Sequence, residues 1–307
     1  DDGDTVPVTD TARATLTRQA AIASVSSATI LLGLKAWAAS ATGSVAMLGS
    51  LADTGLDLLA SLVTLYAVWL AAQPADEDHR FGHGKAEAIA ALMQTLVILG
   101  SAVAIGARAI MQFGVHDLPR RADVGIGVSL VAVVLTLGLV AYQRHVVRAT
   151  GSIAINTDQL HYQSDLLLNL AVIVALGLET FAGLHGADAV FGVGIAVYLG
   201  FGAVSSARAA LDMLMDREWP EAKRQTLLGV VARHPHVDGI HELRTRSSGV
   251  VDFIQFHIWL APDMTVLAAH DIVDQIEADV ATSFPGAEIM IHVDPLGHYD
   301  RPQVLGA

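Results

Sequence analysis

Cysteine is absent from this chain, which rules out disulfides and thiolate ligands and leaves His, Asp and Glu as the main side chains able to hold a metal. Charge is scarce as well, with Asp, Glu, Lys and Arg making up 16% of 307 residues. Set against 53% hydrophobic residues and a mean hydropathy of +0.50, that scarcity excludes an ordinary soluble protein of this length. Cations are fewer than anions, and a formal net charge of −13 argues against a nucleic-acid partner. The start also lacks a basic segment followed by a short apolar stretch and a small-residue cleavage site. It opens on the acidic, polar run Asp1 to Asp10, so residues 1–13 are expected to be a polar leader without a cleaved signal.

What the chain has is hydrophobic length. Crossing a hydrocarbon core takes about 20 residues of helix. Six runs qualify: Ala14 to Ser40, Ser44 to Ala72, Ala86 to Phe113, Val124 to Val147, Leu160 to Leu184 and Ala187 to Leu211. An even number puts both termini on one side. Arg13, Arg18, Arg80, Lys85, Arg144, Arg148 and Arg217 would then flank the cytoplasmic ends, with Arg120 and Arg121 as outer-loop exceptions, so both termini are expected inside. The membrane domain is read as residues 14–216.

After residue 216 charge rises and the period changes. Gly239 to Arg246 and Val251 to Trp259 alternate around a Ser-Ser-Gly turn, as a β-hairpin does. Helical stretches are expected over Glu221 to Ala232 and Val266 to Ser283, and a third strand over Ala287 to Val293. Residues 217–307 therefore read as a small α+β domain in the order α-β-β-α-β, about 90 residues long.

Ionisable side chains inside a span cost roughly 2.5 to 3.5 kcal/mol each on insertion scales, so they need a reason. Asp53 and Asp57 stand four apart in the second span, on one helix face, and two bare carboxylates there would repel without a cation or proton. His161 and Asp165 repeat the spacing in the fifth span. One nitrogen and three oxygens can make a tetrahedral shell, the geometry zinc favours, at donor distances of about 2.0 to 2.2 Å. The bland alternative is that each pair is a helix contact or lines a water cavity. Lys35 is explained more readily by snorkelling or by a neighbouring carboxylate than by transport.

Asp76, His79 and His83 lie in a charged loop whose glycines permit tight turns. They either converge on a metal or belong to a solvated loop. The last third of the chain holds seven of the thirteen histidines. His292 and Asp294 are two apart on a strand and share a face, so they can chelate together, although scattered strand histidines are commonly surface residues. His234, His236, His116, His145 and His185 are taken as structural or exposed.

Taken in order, Asp53-x-x-x-Asp57, Gln73-Pro-Ala-Asp76 with Phe81-Gly-His-Gly-Lys-Ala-Glu87, Leu160-His-Tyr-Gln-Ser-Asp165, His241-Glu-Leu-Arg-Thr-Arg246 and Ile291-His-Val-Asp-Pro295 resemble the cation diffusion facilitator family, specifically its bacterial zinc and ferrous-iron efflux branch. The resemblance implies six transmembrane helices, a cytoplasmic domain of metallochaperone-like fold, a homodimer and a place in the bacterial inner membrane. It assigns Asp53, Asp57, His161 and Asp165 to a transport site, and Asp76, His79 and His83 to a loop site. It places His241, His257, His270, His292 and Asp294 in a binuclear site near the dimer interface, and joins Lys85 to Asp216 by a salt bridge.

The expected function is divalent-metal efflux, with Zn2+ as substrate and regulatory ligand and Fe2+, Cd2+ or Mn2+ as alternatives, because affinity order alone does not fix the metal. Protons and membrane lipid are the other expected partners. Metal and protons compete for the same imidazole and carboxylate atoms, which suggests antiport. A passive channel or a membrane-bound metal sensor is the alternative. An enzyme is not expected: His241-Glu-Leu-Arg-Thr245 breaks the HExxH pattern, and no nucleophile constellation stands out.

Overall fold

A computed structural model of the chain describes residues 10–42, 45–111, 123–182 and 187–297. The read span ends at Ser44, Phe113 and Leu184, along with His116, Arg120, Arg121, His185 and His298, lie outside the described residues. The chain divides into two compact units, Asp1–Leu211 and Asp212–Ala307.

The first unit is helical: α1 Asp10–Thr42, α2 Val45–Ala71, α3 Ala86–Met111, α4 Asp123–Thr150, α5 Ile153–Ala182 and α6 Ala187–Leu214, whose last turn reaches past the division. Each is 26 to 33 residues long, hence about 39 to 50 Å at 1.5 Å per residue, enough to cross a hydrocarbon core of about 30 Å. A helix satisfies its own backbone polar groups, which is why lipid tolerates it. Among the described residues, α1, α2, α3, α4 and α6 hold stretches apolar enough to cross. The first half of α5 carries Asn156, Asp158, His161, Gln163 and Asp165.

That half of α5 also corrects the expected span. The sequence reading began it at Leu160 because the preceding residues are polar, yet the helix begins at Ile153. Asp158 is buried there because side chains of other helices supply its partners, and Thr157 is buried with its hydroxyl donating to Ile153 O of the same helix at 3.0 Å. The first helix likewise takes in residues 10–13, assigned above to the leader.

Large apolar side chains of this unit face outward, among them Trp37, Leu59, Val103 and Phe201, while small residues such as Ala21, Ala88, Ala91, Ala154 and Ala203 fill the interfaces. Small residues let helix backbones approach where no hydrophobic drive operates between helices in lipid. On α6 the approach is close enough to demand glycine: a Cβ on Gly202 would stand 2.8 Å from Leu160 Cδ2, and one on Gly192 would stand 2.9 Å from Ala109 Cβ.

The second unit runs α7 Glu221–Val231, β1 Gly239–Ser247, β2 Asp252–Leu260, α8 Val266–Ser283 and β3 Glu288–Pro295. The expected order is present, with edges moved by a residue or two. Thr265 caps α8 by accepting from Ala268 N at 3.2 Å. The sheet order is β1-β2-β3, antiparallel within the hairpin and parallel between β2 and β3, which α8 connects. Alternation along β2 sends Ile254, Phe256, Ile258 and Leu260 into a core completed by Leu227, Val230 and Val231 of α7 and Ile272, Ile276 and Val280 of α8. The odd-numbered residues of β2 therefore point to the opposite face. His257 is one of them.

Candidate metal centres

Three clusters of potential ligands form among the described residues, and in each the donor atoms lie within 4.8 Å of one another. The first is in the helical unit. Asp57 on α2 and His161 on α5 meet with Asp57 Oδ1 at 3.0 Å from His161 Nε2, and Asp165 joins them one turn further along α5. Asp53 is not among these three. It lines the same cavity, of about 460 Å³, together with Lys35, Thr54, Arg108 and Asn169. One imidazole and two carboxylates with a third in the same cavity form a donor set suited to zinc-like ions.

A second group of polar residues behind this cavity was not singled out from the sequence. Asp158, one turn before His161, accepts from Ser24 Oγ at 2.6 Å, from Gln143 Nε2 at 2.7 Å and from Gln94 Nε2 at 2.9 Å. Gln94 also donates to Thr64 Oγ1 at 2.8 Å, so the network ties α1, α2, α3, α4 and α5. Nearby, Ser61 and the Tyr162 hydroxyl are 2.7 Å apart. Asp158 and Gln143 are completely buried, and a buried carboxylate needs such donors to persist. In the sequence, Gln94 and Gln143 are isolated amides within apolar runs.

The second cluster lies in the loop between α2 and α3. Asp76 Oδ1 accepts from the backbone N–H of His79 at 2.6 Å and of Asp78 at 3.0 Å, while Asp76 Oδ2 lies 3.3 Å from His83 Nε2. Gly82, at φ +75°, provides the left-handed step that folds His83 back toward Asp76. The Asp76 carboxyl is held below its ordinary range, chiefly by the His79 backbone hydrogen bond, with the two imidazoles adding to it against the effect of burial.

Sheet register builds the third cluster. His241 stands opposite His257 in the antiparallel pair, and His257 opposite His292 in the parallel one, so one imidazole from each strand lines up across the sheet. Asp294, two residues beyond His292 on the same face, reaches His257 Nδ1 at 2.9 Å and His241 Nε2 at 3.1 Å through Oδ2, with His292 Nε2 at 3.3 Å from Oδ1. The trio whose donor atoms gather is His241, His257 and Asp294. His270 stands apart from them on α8, exposed and 3.6 Å from Asp274, though it lines one groove with Asp294.

Burial raises the Asp294 carboxyl, but the His257 hydrogen bond and the charges of His292, His257 and His241 outweigh it and hold it below the ordinary carboxylate range. Sequence reading also passed over Glu242. A bulge between His241 and Arg244 puts Glu242 at φ +49° and its carboxylate 3.9 Å from His257 Nε2. The Asp216 carboxylate pairs with Arg246 at 3.3 Å.

Helices of membrane-crossing length, a polar cavity between them and an appended sheet with aligned imidazoles define a multi-pass membrane protein equipped for metal ions. Comparison with known proteins makes the class specific. Residues 21–215 match the cation efflux transmembrane domain, and residues 219–296 match the cation efflux protein cytoplasmic domain. The chain therefore belongs to the cation efflux family, the cation diffusion facilitators.

It is 44% identical over 280 residues to the cation-efflux pump FieF of Klebsiella pneumoniae, covering 91% of this chain and 93% of that one. The FieF of Salmonella newport is 42% identical over the same shares. Among solved structures, the metal-bound C-terminal domain of the CzcD transporter from Thermotoga maritima is similar at 27% identity, covering 27% of this chain and 100% of that one, with a TM-score of 0.25. The protein is thus a membrane transporter of the divalent-metal efflux class rather than an enzyme, as the sequence reading expected.

Proposed function

We propose that the chain exports Zn2+ in exchange for protons by alternating access. Asp53, Asp57, His161 and Asp165 supply the transport site, and the observation that carries this reading is the convergence of Asp57, His161 and Asp165 donor atoms within 4.8 Å inside the helical unit. A metal takes neutral imidazole and ionised carboxylate, whereas a proton takes those same lone pairs, so outward release driven by protonation follows from the ligand chemistry. The ion enters from the cytoplasm and leaves on the far face of a bacterial inner membrane, with both termini cytoplasmic.

The loop cluster of Asp76, His79 and His83 binds a further ion. The face of the sheet carrying His241, His257, His292 and Asp294, with His270 from α8, binds regulatory metal and joins two copies as a homodimer. Metal there biases transport only if its affinity differs between inward- and outward-facing forms. A salt bridge from Lys85 to Asp216 coupling the helices to the tail is part of the same proposal.

Zinc uptake into proteoliposomes under an imposed pH gradient tests the central claim. Wild-type protein is expected to show gradient-dependent, saturable flux, and Asp57→Ala to lose it. Flux indifferent to the gradient refutes antiport, and flux that never saturates marks a channel. Binding without flux marks a sensor. Competition by Fe2+, Cd2+ and Mn2+ in the same vesicles decides the metal.

A further inference from the structure

The cavity that holds Asp53, Asp57 and Asp165 also holds two side-chain cations that no ligand chemistry uses, Lys35 of α1 and Arg108 of α3. Lys35 lies within the first candidate span, Ala12–Ser40, and an ammonium there needs an explanation. Snorkelling would carry it away from the protein interior, and a carboxylate partner would neutralise it. The structure shows a third arrangement. Lys35 Nζ donates to Thr54 Oγ1 at 2.6 Å, and among the described residues no carboxylate forms an ion pair with it.

Thr54 is well placed as a tether. It is buried, its own hydroxyl proton goes to Ser50 O at 3.1 Å, and the remaining lone pairs face Lys35. It follows Asp53 directly and precedes Asp57 by three residues, so the tether fixes the ammonium beside the acid-bearing turns of α2 without letting it occupy either carboxylate. A cation held near the acids, but off them, lowers their mutual repulsion when the cavity is empty and repels any ion that enters. Charge interactions are strong in such surroundings, because the effective dielectric is far below that of water.

We propose that Lys35 is an affinity-setting residue for the cargo: a tethered cation, held by Thr54, that keeps the acid cavity from gripping a divalent metal ion too tightly to release it. The inference rests on the reading of Asp57, His161 and Asp165 as the transport site. A carrier has to let go of its ion in every cycle, and a cavity lined by three carboxylates and an imidazole would otherwise favour capture over release. Lys35 therefore weakens binding and speeds turnover, and its effect grows with the charge of the cargo.

The test is a KM and maximal-rate comparison for Zn2+ flux in proteoliposomes under a fixed pH gradient, using the full chain. Lys35→Met is expected to lower KM by about tenfold or more and to lower the maximal rate with it. Lys35→Arg, which keeps the charge, is expected to stay close to wild type in both. Should Lys35→Met not fold, Lys35→Gln carries the same expectation. A merely structural lysine would give the opposite sign, with KM raised on loss of the tether. An unchanged or raised KM in the neutral variants overturns the proposal. Asp57→Ala measured alongside separates the two claims: wild-type flux in that variant sinks the transport-site reading itself, whereas lost flux there with an unchanged KM in Lys35→Met sinks only the role of Lys35.

Discussion

The two units of this chain sort polar and apolar side chains differently between interior and surface. In the tail, Ile254, Phe256, Ile258 and Leu260 are interior, and charged residues such as Arg244 and Asp274 face solvent. In the helical unit, Asp158, Gln143, Gln94 and Ser24 are interior, and Trp37, Leu59, Val103 and Phe201 face outward. The difference lies in the solvent. Water drives apolar area inward in the tail, but lipid is as apolar as leucine and offers no such drive, so packing of small residues and hydrogen bonds between helices hold the membrane unit together.

Core substitutions in the two units give the sharpest test of that contrast. Phe256→Ala removes a fully buried ring from the tail, and a loss of about 3 to 5 kcal/mol is expected, read from the urea midpoint of the full chain through tail tryptophan fluorescence. Asp158→Leu should cost about 3 kcal/mol, since it leaves the Ser24, Gln94 and Gln143 donors without their acceptor. Leucine is the more apolar residue, so a simple hydropathy argument expects the reverse sign. A thermal melt in detergent showing Asp158→Leu at or above wild-type stability would break the comparison.

The same contrast explains what the sequence made legible. Six long helices and the α-β-β-α-β tail could be read because each depends on local periodicity, and α8 was placed with its observed ends, Val266–Ser283. Asp57, His161 and Asp165 could be read because a charge in a span stands out against its neighbours. Asp158 stands out less, near the polar start of α5, and its partners come from helices up to 134 residues away in sequence, which no local window sees. The bulge at Glu242 depends on pairing with β2, and the separation of His270 from the imidazole row depends on where α8 docks. Both are properties of tertiary packing.

Metal supplies a smaller perturbation that acts on the tail. His241, His257 and His292 come from three different strands, so an ion shared among them and Asp294 cross-links the sheet. Zinc at 100 times its dissociation constant should stabilise the tail by about 2.7 kcal/mol, and a chelator should remove that increment. His257→Ala is expected to abolish the zinc-dependent shift in urea midpoint, and to lower the metal-free value only by what its hydrogen bond to Asp294 contributes, because His257 lies on the face away from the core. A zinc shift that survived in that variant would place the stabilising metal elsewhere.

The smallest effect expected belongs to one carboxyl, and it separates the two kinds of buried acid. Asp158 is held by neutral donors, but Asp294 is held by imidazoles. With its folded-state pKa depressed, Asp294 contributes stability that is fully present above its unfolded value of about 3.9 and is lost as pH falls through the lower folded value. In chelator, wild type should therefore exceed Asp294→Asn in urea midpoint at pH 7, and the gap should persist to pH 5 and narrow only below about pH 4. A gap that stayed constant down to pH 3 would mean that Asp294 acts through shape rather than charge. One that closed between pH 7 and pH 5 would mean that the imidazoles need a metal, and not the carboxylate, to hold the row together.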